Sequence, residues 1–335
     1  MRHFVVVGIL VVVMSVVGYL GLNAVGLMPV QASAQAGPID RLWNLELMTI
    51  SFLSALILVP MAYSLIVFRR KKGDTTDAEH VEGNTNLEIT WTILPLFIVM
   101  VFAYLGAGNL AEIRSVDPEA MVVKVTGLQW SWSFEYPAYG GVATEELHIP
   151  EGKQILLQMT SRDVIHSFWV PEFRVKQDLV PGRITELRIT PTLIGNYKVR
   201  CAEICGTSHA YMEKPVVVST QADFDVWMTE QIKLAEEAAA TPEGHGQALV
   251  AANGCAACHT TNGAAGIGPT WFGLAGSQVE LTDGSVVTAD DAYIHESIKA
   301  PQAKIVAGFE NQLMPTYGFE DTDINDIVAY IKTLK

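Results

Sequence analysis

The sequence predicts a membrane-anchored multidomain protein: a two-helix transmembrane hairpin, then an all-β barrel or sandwich, then an all-α domain. Long apolar stretches without charged residues are confined to the first third of the chain. Short β-rich runs bounded by Gly and Pro follow in the middle, and segments with helical spacing fill the last third. A length of 335 residues is enough for a membrane anchor and two modest domains.

The composition fits an anchored protein with soluble domains better than a polytopic channel. Hydrophobic residues make up 50% of the chain and charged residues 17%, and the mean hydropathy is +0.26. The formal net charge is −14 at pH 7. This charge argues against a nucleic-acid partner, because phosphate binding needs clustered Lys and Arg. An acidic surface instead suits a basic protein partner.

The N-terminal segment carries a targeting or anchoring signal. An apolar run from Phe4 to Val30 follows Arg2, and the small residues behind it offer cleavage sites after Ala34 or Ala36. This pattern is typical of a secretory signal peptide. The run is long for a signal peptide, so an extra N-terminal transmembrane segment is the alternative.

Two further apolar stretches predict the transmembrane hairpin. Residues 47–68 and 89–110 contain no charged residue, and each is long enough to cross about 30 Å of hydrocarbon. The basic residues 69–72 lie between them and place the connecting loop in the cytoplasm. Everything after Leu110 is therefore expected outside, whether the first segment is cleaved or kept.

The rest of the chain divides where its composition changes. Three β-rich runs, at 121–126, 154–159 and 216–218, predict an antiparallel sandwich or barrel. Helical spacing over 223–240 leads into an Ala-rich linker with Pro and Gly at 238–246. The expected units are a signal peptide or extra span, the hairpin, the β domain, a helix with linker, and the helical domain, at residues 1–36, 37–112, 113–220, 221–245 and 246–335.

The four cysteines form two close pairs, Cys201 with Cys205 and Cys255 with Cys258, and each pair has a His nearby. Two disulfides are one interpretation of four cysteines in an exported protein. The residues around each pair indicate metal chemistry instead.

The first pair belongs to a short segment that also contains His209 and Met212, and His166 lies upstream. Thiolates, imidazoles and a thioether suit copper or zinc, and the thioether favours copper. Two thiolates on one loop can each bridge two copper ions. A zinc site or a disulfide remains the alternative for this segment.

This segment resembles the binuclear copper site of cytochrome c oxidase subunit II, whose β domain has a cupredoxin-like fold. The resemblance implies that both cysteines bridge two copper ions, that each copper has one His ligand, and that a thioether and a backbone carbonyl complete the set. The implied metal-binding residues are His166, Cys201, Glu203, Cys205, His209 and Met212. The Glu203 side chain is further implied to bind a magnesium ion shared with subunit I.

Two more segments extend the resemblance. Glu88 lies where the family has a carboxylate at the mouth of a proton pathway, with a helix-start charge as the alternative. The segment from Gln129 resembles an aromatic strip over the copper site, and Trp130 matches the residue at which electrons enter from soluble cytochrome c. Ser131 stands where the family often has Tyr, which is a departure from its usual docking patch.

The second pair has the pattern of covalent haem attachment, Cys255-Ala256-Ala257-Cys258-His259. Thiols at this spacing add to the two vinyl groups of haem c, and the adjacent His binds the iron. Met314 is the expected sixth ligand, and a thioether opposite His favours reduced iron. Residues 267–270 resemble the loop that holds this His, so the C-terminal domain resembles class I cytochromes c. A zinc knuckle and a core Met are the alternatives.

Together these resemblances imply subunit II of a respiratory cytochrome c oxidase with a C-terminal fused cytochrome c domain, as in caa-type haem–copper oxidases. Electrons would enter at haem c, pass to the binuclear copper A centre and reach a haem of subunit I, where oxygen is reduced to water with proton pumping. This chain would have no catalytic residue of its own. Expected partners are subunit I, other oxidase subunits and a soluble or membrane-bound donor protein. Its expected place is the lipid bilayer of a bacterial plasma membrane, crossed more than once, with both cofactor domains on the outer (periplasmic) face.

Proteins with other functions can carry a similar copper site or a similar membrane anchor. The electron-input subunit of a copper A-containing nitric oxide reductase can carry such a site, although the hairpin and Glu88 favour the oxygen-reducing class. A nitrous oxide reductase would need a large catalytic domain beyond this length, and a quinol-oxidising homologue would lack the copper ligands. A stand-alone membrane-tethered electron carrier is the remaining interpretation.

Overall fold

The structure, a computed structural model, describes residues 1–77, 80–311 and 314–335. These residues group into two compact units, Met1–Ser115 and Val116–Lys335. The first unit contains three helices: α1 (Arg2–Ala24), α2 (Ala36–Val67) and α3 (Thr85–Ile113). Each of them is long and apolar enough to cross a membrane.

Both stretches predicted to form the hairpin are helical, and both helices extend beyond the apolar residues. The first turns of α2, from Ala36, include charged side chains that a search for apolar stretches passes over. There Arg41 pairs with Glu112 of α3 at 3.7 Å. The helix α1 lies against α2, where the His3 Nδ1 atom is 2.8 Å from the Tyr63 hydroxyl.

The first part of the second unit, residues 116–219, is an all-β sandwich, as predicted, and is called the sandwich lobe below. Its strands are β1 (Met121–Leu128), β2 (Ser131–Tyr136), β3 (Val142–Thr144), β4 (Leu147–Pro150), β5 (Ile155–Ser161), β6 (His166–Trp169), β7 (Lys176–Leu179), β8 (Thr185–Ile189), β9 (Gly195–Cys201) and β10 (Glu213–Ser219). One sheet has the order β3-β2-β1-β5-β8 and the other has the order β4-β10-β9-β6-β7.

The sandwich is not purely antiparallel, which differs from the prediction. β1 pairs with β5 and β4 pairs with β10 in parallel, because the chain crosses to the second sheet at β4 and returns to the first at β5. Side chains alternate between core and surface along β5. In the core, Trp132 and Phe168 are fully buried and lie edge to face at 6.0 Å.

The second unit continues with a helix, α4 (Gln221–Ala239), and then the helical lobe, residues 242–335. The helical lobe contains α5 (Pro242–Ala252), β11 (Gln278–Glu280), β12 (Val286–Thr288), α6 (Asp291–Lys299) and α7 (Asp321–Thr333). Its core includes Trp271, Ile294, Ile327 and Ile331. The small antiparallel hairpin β11–β12 is an addition to the all-α domain that the sequence predicted.

The stretch expected to be a linker, 238–246, contains the start of α5. The Thr241 side chain accepts a hydrogen bond from the Gly244 backbone N–H at 3.1 Å, and Pro242 occupies the first helical position. These are the capping features of a helix N-terminus, and they outweigh the helix-breaking tendency of the Pro and Gly residues in the stretch. On the other side α4 packs on the sandwich lobe, where Trp227 stacks on His148 at 3.8 Å.

Candidate metal centre and haem cavity

The residues predicted to bind copper converge at one end of the second sheet. His166 begins β6 and Cys201 ends β9, and these two strands are hydrogen-bonded neighbours. The chain then makes a loop and a short helical turn, His209–Tyr211, before β10. A hydrogen bond from the Cys201 backbone N–H to the Met212 carbonyl, at 3.1 Å, closes this loop. The sheet therefore brings together residues that are far apart in sequence.

The sulfur and nitrogen atoms of this group are close to one another. The Cys201 and Cys205 sulfurs are 3.7 Å apart, and with His166 they form a buried group whose ligand atoms all lie within 4.8 Å. The His166 Nδ1 atom lies 3.9 Å from the Cys201 sulfur. The His209 Nδ1 atom lies 3.5 Å from the Cys205 sulfur. Each sulfur thus has its own imidazole.

The two weaker predicted ligands lie at the same place. The Met212 sulfur is 3.8 Å from the Cys205 sulfur, and the Cys201 thiol donates to the Glu203 carbonyl oxygen at 3.2 Å. The Glu203 residue itself is exposed. Within the part of the chain that the structure describes, His166, Cys201 and Cys205 form the one close cluster of three His, Cys, Asp or Glu residues.

A carboxylate orients the buried imidazole. The Asp163 Oδ1 atom lies 2.8 Å from the His166 Nε2 atom. Asp163 also accepts hydrogen bonds from the backbone N–H groups of Gln129, at 2.6 Å, and Val164, at 2.7 Å. Because Nε2 is engaged, the Nδ1 atom of His166 faces the sulfurs. The sequence interpretation missed Asp163, although a carboxylate three residues before a metal-binding His was a usable signal.

The electrostatics of the group favour a cation. Burial raises the pKa of the Cys205 thiol, and the charge on Cys201 raises it further. Burial also raises the pKa of Cys201, but hydrogen bonds with His166 and with the backbone outweigh this and hold the pKa below its ordinary value. Burial lowers the pKa of His166, whereas Asp163 and Cys201 together raise it to about 9. A positive ion is what would allow both thiols to be deprotonated together.

The group fits copper better than the alternatives. All four cysteines are free, and 3.7 Å between the two sulfurs is far from the roughly 2.05 Å of a disulfide. A metal ion at about 2.3 Å from each sulfur, the usual zinc–thiolate distance, can lie between them. Two thiolates, two imidazoles and a thioether form a softer set than zinc requires.

The second cysteine pair lines a cavity of about 510 Å³. Cys255 lies in a short helical turn after α5, with Cys258 and His259 directly behind it. The His259 Nδ1 atom lies 2.8 Å from the Pro269 carbonyl oxygen, so this nitrogen carries the hydrogen and Nε2 is left for a ligand. The ring stacks on Trp271 at 4.7 Å. Burial lowers the pKa of His259, which favours the neutral form that binds metals.

Met314 lies on the wall of the same cavity. The Gln302 side chain donates to its carbonyl oxygen at 3.0 Å. Gly268 allows the chain to pass close to the imidazole, because a Cβ placed there would lie 2.9 Å from His259 Cε1. Two thiols, a neutral imidazole and a thioether therefore surround one largely apolar cavity, and this set of groups fits a haem.

The sandwich lobe forms one side of this cavity. The residues that it contributes are Leu128, Gln129, Trp130, Arg162 and Asp163. The Trp130 indole N–H and the Gln129 amide both donate to the Cys205 carbonyl oxygen, at 3.2 and 2.6 Å. The short segment 129–130 thus contacts the loop from Cys201 to Met212, called the copper loop below, and lines the haem cavity.

Small residues permit this close approach of the two lobes. A Cβ placed on Gly254 would lie 2.8 Å from Leu128 Cδ2 and 3.1 Å from Ser131 Cβ. Ser131 is buried and its Cβ lies against Gly254, so a side chain as large as Tyr would have little room there. The departure from the expected docking patch therefore falls where the helical lobe contacts the sandwich lobe.

Glu88 belongs to the other unit and lies exposed in the first turn of α3. The Asn84 side chain caps this helix by accepting from the Leu87 backbone N–H at 3.1 Å. A negative charge in a first helical turn also suits the helix dipole. The role of Glu88 in a proton pathway stays a prediction.

Comparison with known proteins finds three family models in chain order. The transmembrane domain of cytochrome c oxidase subunit II matches residues 20–106, its periplasmic domain matches 142–221, and cytochrome c matches 244–335. The cytochrome c oxidase subunit 2 of Alkalihalophilus pseudofirmus is 31% identical over 302 residues, which cover 87% of this chain and 85% of the relative.

Two further relatives carry the same name. The protein from Synechocystis sp. is 33% identical over 271 residues, covering 66% of this chain and 80% of the relative. The protein from Bacillus subtilis is 28% identical over 293 residues, covering 82% of each. The matched models follow the order of the apolar helices, the sandwich lobe and the helical lobe. This chain therefore belongs to the cytochrome c oxidase subunit 2 family, and its C-terminal part is a cytochrome c domain.

Proposed function

We propose that this chain is the electron-input subunit of a respiratory oxidase that contains haem c and copper A. When bound, these groups supply one-electron transfer from haem c through copper A to a haem of subunit I, where oxygen is reduced to water with proton pumping. One observation supports this proposal above the others: residues 129–130 hydrogen-bond to the copper loop and also line the haem cavity. The two cofactor sites are thus neighbours within one compact unit.

The sandwich lobe holds the copper pair. The proposed ligands are His166, Cys201, the Glu203 carbonyl, Cys205, His209 and Met212. His166 and both sulfurs are buried, and Asp163 fixes the imidazole. A rigid and dry ligand set changes little in geometry when the charge changes, which keeps electron transfer fast.

The helical lobe holds the haem. Cys255 and Cys258 would tether it, and neutral His259 and Met314 would bind its iron. A thioether ligand together with an imidazole would favour reduced iron and raise the reduction potential. Trp130 is the proposed contact for electron entry to copper, because its indole reaches the Cys205 carbonyl from the cavity wall.

The first unit anchors these sites outside the membrane. Two or three of its helices cross the bilayer, and the basic residues 69–72 keep the connecting loop in the cytoplasm. Glu88 is proposed to admit protons to subunit I, and Glu203 to share a magnesium ion with it. Other oxidase subunits and a donor protein complete the partners.

Replacing Cys205 with Ser tests the assignment of both cofactors. The purified full chain should bind two coppers and one covalent haem per polypeptide. The variant should lose the binuclear copper spectrum and stop re-oxidation of haem c, measured by metal analysis and rapid-mixing absorbance. Haem attachment should survive, because the cysteines of the haem site lie in the other lobe.

The control is Thr207→Ser, an exposed residue of the same loop, which should keep both cofactors. A wild-type chain with a single copper, or with zinc, would disprove the proposal, and so would loss of both cofactors in the Cys205 variant. Oxygen uptake by the purified complex with subunit I separates an oxidase from a nitric oxide reductase. A chain that purifies without any haem-bearing partner would be a stand-alone carrier.

A further inference from the structure

The haem cavity has charged side chains on one side only. Among the described residues that line it, the helical lobe contributes no Asp, Glu, Lys or Arg. The charges come from the sandwich lobe, which contributes Arg162 and Asp163. Any ionic contact that a ligand makes in this cavity is therefore made with the other lobe.

Arg162 and Asp163 differ in how many of their hydrogen-bonding groups have a partner in the protein. Asp163 accepts hydrogen bonds from His166 and from two backbone N–H groups. The Arg162 guanidinium donates to Asn253 Oδ1 of the helical lobe, and it has no ion pair with any residue in the described ranges. An Arg side chain has five N–H donors. Arg162 therefore retains a positive charge and N–H donors that no described residue uses.

Haem carries two carboxylate side chains, which are ionised at neutral pH. A carboxylate in an apolar cavity is costly unless it is paired and hydrogen-bonded. A guanidinium matches a carboxylate with two parallel N–H···O bonds, and such bonds are stronger than neutral ones. The cavity thus has one cation and its expected ligand brings two anions.

We propose that Arg162 of the sandwich lobe binds a carboxylate of the haem that the helical lobe carries, so that the haem itself joins the two lobes. This inference rests on the proposed function in one respect, which is covalent haem at Cys255 and Cys258. Arg162 is a positioning residue: it fixes the haem edge beside Trp130. Its positive charge also disfavours the oxidised, more positive iron.

The test is the reduction potential of haem c in the purified full chain. Arg162→Gln should shift the potential to more negative values, since it removes a positive charge near the iron. Arg162→Lys keeps the charge and should restore most of the potential. High salt should reduce the difference between Arg162→Gln and wild type, because salt screens exposed charges.

Two further variants separate this role from a merely structural one. Lys124 lies on β1 of the same lobe in an exposed pair with Glu135 and does not line the cavity, so Lys124→Gln should leave the potential unchanged. Asn253→Ala breaks the direct bond between the lobes but keeps the charge of Arg162, so its potential should stay close to wild type.

An unshifted potential in Arg162→Gln, with haem attached, would overturn the inference and leave the proposed function intact. The same holds if Asn253→Ala reproduces the whole shift, because Arg162 would then act only through the bond between the lobes. Absence of covalent haem in the wild-type chain would instead overturn the proposed function.

Discussion

Replacing Gly246 with Ala should destabilise the helical lobe strongly, although Ala is the better helix former. Gly246 lies in α5 at its crossing with α7. A Cβ placed there would lie 2.0 Å from the Asp326 carbonyl oxygen and 2.8 Å from the Ile327 nitrogen. These atoms are backbone, so no side chain can rotate away to make room.

The relative size of the propensity gain and the overpacking cost decides whether Gly246→Ala stabilises or destabilises the lobe. Gly to Ala in a helix interior gains about 1 kcal/mol from propensity. Ordinary heavy-atom contacts are about 3.5 Å or longer, so α5 and α7 would have to separate by about 1.5 Å. Overpacking of a core costs about 1–3 kcal/mol and sometimes more, and the clash at Gly246 belongs at the upper end. The net loss is therefore about 2 kcal/mol or more, out of the 5–15 kcal/mol typical of a domain.

The assay is a denaturant titration of the haem-loaded full chain, followed by haem absorbance and by hydrogen exchange of α5 and α7. The transition midpoint should fall while its slope stays unchanged. Gln247→Ala is the matched control, since this neighbour in α5 is exposed and should change the free energy of unfolding by less than about 0.5 kcal/mol. Equal or greater stability of Gly246→Ala would refute the reasoning, because propensity alone predicts that result.

Two further predictions concern how the other elements dock. Burial lowers the pKa of His148 even though the nearby Glu146 carboxylate raises it. The folded state thus prefers neutral His148, so the stability that depends on neutral His148 is fully present above its ordinary pKa of about 6.5. This stability should be lost as the pH falls from that value toward the lowered pKa of the folded state, by at most about 1.4 kcal/mol per pH unit. Since His148 stacks on Trp227, hydrogen exchange of α4 should rise on mild acidification, and His148→Gln should remove this pH dependence. Ser131→Tyr should collide with Gly254, separate the two lobes and increase hydrogen exchange around Gly254, without preventing haem attachment.

The outcomes that contradict these two predictions are distinct. Exchange of α4 that is the same at neutral and mildly acidic pH would show that His148 does not control its docking. Unaltered exchange at residues 253–254 in the Ser131 variant would show that the two lobes do not meet at that point.

The predicted site residues that the sequence alone brings together are those that lie close to one another along the chain. The copper loop, Cys201 to Met212, and the haem attachment residues are contiguous, so their spacing alone indicated the chemistry. His166 was found by resemblance, because only the pairing of β6 with β9 brings it to the sulfurs. The apolar helices were equally accessible, since their signal is local hydropathy.

The features that the sequence did not indicate depend mainly on contacts between different elements of secondary structure. Arg162 is an ordinary exposed residue until the helical lobe brings Asn253 to it, whereas Asp163 lies only three residues before His166 and could have been found from that spacing. The sequence interpretation gave more weight to the helix-breaking Pro and Gly residues of this stretch than to Thr241 and Pro242, which start α5. The parallel strand pairs followed from a crossover between sheets, which strand runs alone do not specify.

The wall that the sandwich lobe contributes to the haem cavity has a consequence for biogenesis. Cys255 is buried and Cys258 is half-buried, and the cavity that they line is lined on one side by the other lobe. Under the proposed function, a porphyrin has to reach both sulfurs before it can be attached. Attachment would therefore have to precede the docking of the helical lobe on the sandwich lobe, and a polypeptide whose lobes docked first would exclude its own cofactor.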